Sequence, residues 1–176
     1  QLESVKVVAL ASAEEFEAGH IPGAGQIDWP ALLVGHTTPE SIGRWQETVR
    51  MRLRELDITP VDTVVVYDGG SFLAPRFWWA LDALGHHDMR ILNGGLAAWK
   101  AAGGAIETGP STVSAAAVTY AGTLNPARIM TQGEVMMALG DPGTALLDAR
   151  DPDEFRDGRI PGAINYHFMN NADSGP

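Results

Sequence analysis

From Glu40 to Leu56 the apolar residues Ile42, Trp45, Val49, Leu53 and Leu56 recur at spacings of three and four, with charged positions between them. That period predicts an amphipathic helix, closed by Pro60. Two shorter stretches behave differently. Val5 to Leu10 and Thr63 to Tyr67 are apolar without alternation, as expected of strands covered on both faces of a parallel sheet. Ser12, with Glu15 three residues later, opens a short helix to Ala18, and Gly19 and Pro22-Gly23 end it. Pro75 to Leu84 reads as a helix burying Phe77, Trp78, Leu81 and Leu84 and ending at Gly85. Met89 to Leu92 is a third strand, Asn93-Gly94-Gly95 a turn, and Leu96 to Ala101 a last short helix. Strands alternating with helices predict an α/β layer fold around a mostly parallel sheet.

The pattern then begins again. Glu14 to Gly25, EEFEAGHIPGAG, and Asp153 to Ile164, DEFRDGRIPGAI, are identical at seven of twelve positions at a fixed offset of 139. The apolar pairs Val7-Val8 and Leu146-Leu147 share that offset, so the chain carries a duplication at domain scale. In the second copy Thr131 to Leu139 is a predicted helix, Ala145 to Asp148 a strand, and Asp151 to Arg156 a helix start with Pro152 in its first turn. The expected organisation is a first domain over 1–109, a linker over 110–127 with an extended stretch at Ala117 to Tyr120, and an incomplete second domain over 128–176. The tail MNNADSGP shows no pattern.

Composition narrows the classes. Hydrophobic residues make up 45% and charged residues 19% of 176, which suits a globular core. The net charge of −10 opposes long-range attraction to nucleic acid or anionic membrane. No stretch of 18 apolar residues and no cleavable signal pattern is visible, and the expectation is a soluble, cytoplasmic protein. The opening QLESVKVVAL reads as an interior cut or processed end. Cysteine is absent, which excludes disulfides, thiolate metal sites and thiol nucleophiles from this chain. His20, His36 and His167 are scattered without ligand spacing, and no metal or cofactor is expected. His86-His87, after a helix-ending glycine, is read as solvent-exposed and favoured by the helix C-terminus. Trp78-Trp79 is read as core.

The stretch VVVYDGGSFLAPRFWW, Val64 to Trp79, runs a strand into a two-glycine loop that opens a helix, a geometry that presents N–H groups to anions. Asp68 brings its own negative charge there. The preferred reading is a loop closed by local Asp hydrogen bonds, with a residual anion site as the alternative.

Taken together, the DEF…GxIPGA segments in both copies, Leu147-Asp148-Ala149-Arg150, YDGG followed by APRFWW, and LNGGLAAWKAAGG from Leu92 to Gly104 resemble the rhodanese family of sulfurtransferases. The narrower resemblance is to the tandem-domain thiosulfate or 3-mercaptopyruvate sulfurtransferases. It implies a three-layer rhodanese-like fold, duplicated, whose second copy is incomplete here. It also implies transfer of sulfane sulfur from a small anionic donor to cyanide or a thiol, through a persulfide on a cysteine that opens the loop after a central strand. Asp68 stands where that nucleophile would stand, so the first copy is expected to be non-catalytic. The cysteine is expected at about position 207 if the offset holds, outside this chain, which alone should be inactive. A non-catalytic binding module and a phosphatase relative of the same fold are the competing readings.

The same resemblance implies site residues. Trp29 and Phe72 match aromatics that lean towards the catalytic pocket of the second domain, or else pack between the domains. Arg150, Arg156 and Arg159 are candidates to bind the anionic donor, since a guanidinium matches two oxygens at once, with solvated helix ends as the plain alternative. Asp148 is read as a structural partner of loop N–H groups or an arginine. Pro161 occupies a turn position where some thiosulfate-type relatives place arginine, which leaves mercaptopyruvate open as donor. A cut sheet leaves an apolar strand edge, and pairing of the incomplete domain with another chain is the corresponding expectation.

Overall fold

The computed structural model describes residues 4–115, 117 and 120–171. It divides into two compact units, Gln1–Ile129 and Met130–Pro176. In the first, the apolar runs become β1 (Val5–Leu10), β3 (Thr63–Asp68) and β4 (Met89–Ile91), with β2 (Gly25–Ile27) added after the Pro22-Gly23 turn. Helices α1 (Ala13–Ala18), α2 (Pro39–Glu55), α3 (Ala74–Ala83) and α4 (Gly95–Ala101) alternate with them. The sheet order is β2-β1-β3-β4 and every pairing is parallel. This is the α/β fold that the alternation predicts. Strand β2 and the 3-10 turn Trp29–Leu32 escape a periodicity search because neither carries a repeating apolar pattern.

Helix α2 buries Ile42, Trp45, Val49 and Leu53, four of the residues that define its period. Trp45, Val49 and Leu53 meet Val8, Leu10, Val64, Val66, Phe77 and Leu81 in one cluster between the sheet and helices α2 and α3. A smaller cluster on the opposite face joins Ala9, Phe16, Ile21, Ala24 and Tyr67, with Leu92, Leu96 and Trp99 packed against it. Two apolar layers over a parallel sheet fix where its C-terminal strand ends open, which is where the loops of interest lie. Trp78 and Trp79 are half-buried against the larger cluster, and their indole N–H groups donate to the carbonyls of Met89 and Arg128.

The segment predicted as a linker is fastened to the rest of the first unit at several points. Ser111 donates to the Ala24 carbonyl, Tyr120 is buried, and the Asn125 amide donates to the Ala83 carbonyl at 2.7 Å. Val118 and Thr119, within the expected extended stretch, lie outside the described residues.

In the second unit α5 (Gln132–Ala138) is capped by Thr131, and β5 (Leu147–Asp148) leads to α6 (Pro152–Asp157) and then β6 (Ile164–Asn165). A 3-10 turn over Phe168–Asn171 occupies part of the tail that reads as patternless, and 172–176 lie outside the described residues. β5 and β6 pair in parallel, Leu147 with Ile164 and Asp148 with Asn165. At an offset of 139 that is the register of Val8 with Gly25 and Ala9 with Gln26.

Candidate functional site

In the first unit the C-terminal ends of β1 and β3 open onto a pocket of about 190 Å³ lined by Ala9, Phe16, His20, Tyr67, Asp68 and Leu96 among others. The β3 strand delivers Asp68 to its rim. Oδ1 of Asp68 accepts from the Gly70 amide at 2.8 Å, and Oδ2 accepts from the Leu73 and Ala74 amides at 2.7 and 2.9 Å. These donors sit in the loop and at the N-terminus of α3, where backbone N–H groups lack helical partners. A buried carboxylate takes them up, so this loop is closed from within by the side chain that follows the strand.

The chain conformation depends on that closure. Phe72 holds φ at 59°, a left-handed conformation unusual for an aromatic residue, directly before the Leu73 amide that Asp68 binds. On the other side Gly95, at φ 57°, passes so close that a Cβ there would lie 2.4 Å from the Asp68 carbonyl oxygen. Only glycine fits, which explains its place in the Asn93-Gly94-Gly95 turn. Trp29 and Phe72 are 41% and 49% exposed.

Beneath the pocket, the Tyr67 hydroxyl accepts from the Ile21 amide at 3.0 Å, and burial pushes its phenol above the usual range. The His20 ring stacks on Phe16 with centroids 3.8 Å apart, and its Nδ1 bonds the Phe16 carbonyl at 2.9 Å. His20 therefore braces the end of α1, where the Ile-Pro-Gly-Ala turn begins. Among the described residues no group of three or more metal-ligating side chains converges.

His86 departs from the sequence reading. It is 1% exposed, because α3 stops at Ala83 and Gly85, at φ 72°, turns the chain inward. Nε2 bonds the Asp62 carbonyl at 2.9 Å and Nδ1 the Tyr120 hydroxyl at 2.9 Å. His87 alone is exposed. No local signal marks this burial, since polar His87 and Asp88 follow His86 before β4 begins, and its partners Asp62 and Tyr120 are distant in sequence.

In the second unit Asp148 and Arg150 form one device. The Asp148 carboxylate accepts from the Arg150 amide and from Nε and Nη2 of its guanidinium at 2.7 to 3.2 Å. Nη2 also donates to the Gly158 carbonyl at 2.7 Å, tying the strand end to the turn after α6. These hydrogen bonds from Arg150 hold the Asp148 carboxyl below the ordinary range and push the guanidinium above its own. Arg156 pairs with Asp153 at 2.7 Å, and Arg159 lies 4.8 Å over the Phe155 ring. Asp148 and Arg150 line a pocket of about 290 Å³ with Leu146, Leu147, Ala149, Ile160 and Ala163; Arg156 and Arg159 do not.

Comparison with known proteins supplies the family. The model of the rhodanese-like domain matches residues 2–102 and 131–176. A thiosulfate sulfurtransferase of Pseudomonas aeruginosa is 34% identical over 173 residues, covering 92% of this chain and 62% of that protein. The 3-mercaptopyruvate sulfurtransferase of Escherichia coli K12 is 34% identical over 167 residues, 87% of this chain and 58% of that protein. The chain thus spans about three fifths of the length of these curated relatives. The crystal structure of SseA from Escherichia coli, described as a 3-mercaptopyruvate sulfotransferase, superposes with a TM-score of 0.80 at 28% identity, over 98% of this chain and 72% of that one. By fold, by family model and by its sulfurtransferase relatives, this chain belongs to the rhodanese-like family.

Proposed function

We propose that this chain is the non-catalytic first copy and the opening of a second copy of a sulfurtransferase that uses thiosulfate or 3-mercaptopyruvate. In this reading a cysteine thiolate outside the chain attacks the donor's outer sulfur, and the donor remnant leaves with the bonding electron pair. Cyanide or a thiol then attacks the outer sulfur of the resulting persulfide and regenerates the thiolate. One observation carries the assignment of the first copy. The Asp68 carboxylate occupies the N–H groups of Gly70, Leu73 and Ala74, so no donor sulfur is served there.

The cysteine-free composition supports the same division, since an oxygen nucleophile cannot carry a persulfide. Within the second copy, Asp148 is assigned the structural role of fixing Arg150, whose guanidinium is then presented in one orientation towards an anionic donor. Arg156 and Arg159 are assigned as further donor contacts, and Trp29 and Phe72 as substrate-pocket aromatics. The domain limits 1–109 and 128–176 belong to this proposal, as does a small sulfur anion as the partner.

Intact-mass spectrometry after incubation with thiosulfate or 3-mercaptopyruvate tests the reading. A protein extended to the length of the relatives should gain one sulfur atom, and this chain should gain none. Sulfur uptake by this chain would overturn the assignment of Asp68. An extended protein that takes up no sulfur from either donor would instead favour a rhodanese-like binding module.

A further inference from the structure

The His86 ring is buried where three parts of the first unit meet, and the proposed sulfur chemistry does not use it. Asp62, in the turn before β3, offers a carbonyl oxygen, which can only accept, so His86 Nε2 carries the proton. Nδ1 is then the bare nitrogen, and the Tyr120 hydroxyl must donate to it. The tautomer and the direction of the tyrosine bond follow from the acceptor-only carbonyl. Tyr120 opens the segment 120–128, which runs along the end of α3. Arg50 of α2 donates to its Gly122 carbonyl at 2.9 Å, the Asn125 amide donates to Ala83, and Arg128 pairs with Asp82 at 2.6 Å. Gly122 is so closely packed that a Cβ there would lie 2.1 Å from the Tyr120 ring.

We propose that His86 is a proton-operated latch on this segment: a proton taken up at Nδ1 removes the acceptor of the Tyr120 hydroxyl and releases 120–128 from the α3–β4 corner while the sheet stays folded. A protonated Nδ1 turns from acceptor to donor and can hold the Tyr120 oxygen only by reversing the bond, which leaves the tyrosine O–H without an acceptor in a dry site. Release lets the imidazolium reach water. The segment adds only Tyr120 and Leu124 to the larger apolar cluster, whereas the sheet is sealed between that cluster and a second one, so opening is local.

Burial dominates and holds His86 below its usual range, against the Asp62 and Asp88 groups that favour its proton; the adjacent His87 works with burial. The Asp62 carboxylate is already engaged by Ser4 and Thr59. Burial also pushes the Tyr120 phenol up to about 12, against the Arg50 charge that lowers it, so it stays a neutral donor at neutral pH. In the closed state His86 therefore stays neutral while pH falls. Once exposed it protonates near about 6.5. Opening should rise about tenfold per pH unit below that value, until the closed form itself takes a proton.

Amide hydrogen exchange of the whole chain between pH 7.5 and 5.5, corrected for intrinsic rates, reads this directly. The Asn125 amide should show the tenfold-per-unit rise while Val64 and Val66 of β3 do not. His86→Gln should flatten the slope. Tyr120→Phe should raise Asn125 opening about fivefold at pH 7.5. If His86→Gln fails to fold, the ring ¹⁵N shifts of the unaltered chain must show the proton on Nε2. A flat Asn125 profile, joint loss of Asn125 and β3 protection, an unchanged slope in His86→Gln, or the Nδ1 tautomer would each overturn the latch.

Discussion

The two copies of the repeat open with the same ladder and then diverge in what surrounds it. Val8 and Ala9 pair with Gly25 and Gln26 in the first unit as Leu147 and Asp148 pair with Ile164 and Asn165 in the second. Even a side-chain bond recurs: the Gln26 amide donates to the Ala11 carbonyl and the Asn165 amide to the Arg150 carbonyl. Yet Val8 is 1% exposed and Leu147 is 61% exposed, because β1 is flanked by β3 and covered by helices. Where the first copy has Ala9 and Ala11, the second has the Asp148–Arg150 pair. Backbone register is thus separable from both core formation and polar chemistry. The shared glycine and proline punctuation sets the first, and neighbouring elements and a few side chains set the others.

The largest effect should come from truncating the covered layer. Phe77→Ala in the first unit should cost about 3–5 kcal/mol in urea unfolding, whereas Leu147→Ala should stay within about 0.5 kcal/mol. Comparable losses would mean that β5 is covered after all. Next comes the loop: Asp68→Ala strips three amides of their acceptor and should destabilise the first unit by about 2 kcal/mol, leaving the second unit's amide shifts in place. Asp68→Asn should recover only part of this, since one amide group would face an N–H with an N–H.

A smaller change is expected at the polar pair that distinguishes the second copy. Its folded carboxyl is held below the unfolded value, so the pair's contribution is present above about pH 3.9 and is lost as pH falls through the lower, folded value. Arg150→Lys gives up the forked geometry, and a carboxyl-carbon NMR titration should then move the Asp148 midpoint upward. An unmoved midpoint would show that another group sets it. The smallest effect tests sameness. Ser12 and Asp151 stand at equivalent positions and each caps its helix, so alanine at either should cost about 1 kcal/mol. Ser12→Asp, which imports the second copy's cap, should be close to neutral by thermal melting.

Much of this architecture was legible because it rests on local signals. The ends of β1, α1, α2 and α3 follow from apolar runs, the Ser12–Glu15 box and the Pro75 and Gly85 punctuation, and the structure places them within a residue of that reading. What stayed hidden depends on partners distant in sequence. β2 is a strand only because β1 lies beside it, and 110–127 looked like a linker because its composition does not reveal that Tyr120 finds His86 34 residues away. The Asp68 closure was readable in kind, since Asp before glycine favours local bonds, but its reach to Leu73 and Ala74 needed the loop's path. Phe72 in the left-handed region had no sequence sign at all, because aromatic residues there are rare.

The central place of β1 also dictates an order in time. Its first partner, β2, follows within about twenty residues, but Val5 meets Thr63 only after the whole of α1, β2 and α2 has been made. At about 5–20 residues per second of synthesis, β1 waits on the order of 3–12 s with one edge open. Only at the end of that interval is the covering α2 complete, and its apolar stripe is then the nearest shelter for Val8 and Leu10. Slowing synthesis between α2 and β3 should therefore lengthen the nascent chain's exposure to aggregation, and codon choice in that interval becomes a practical handle on yield.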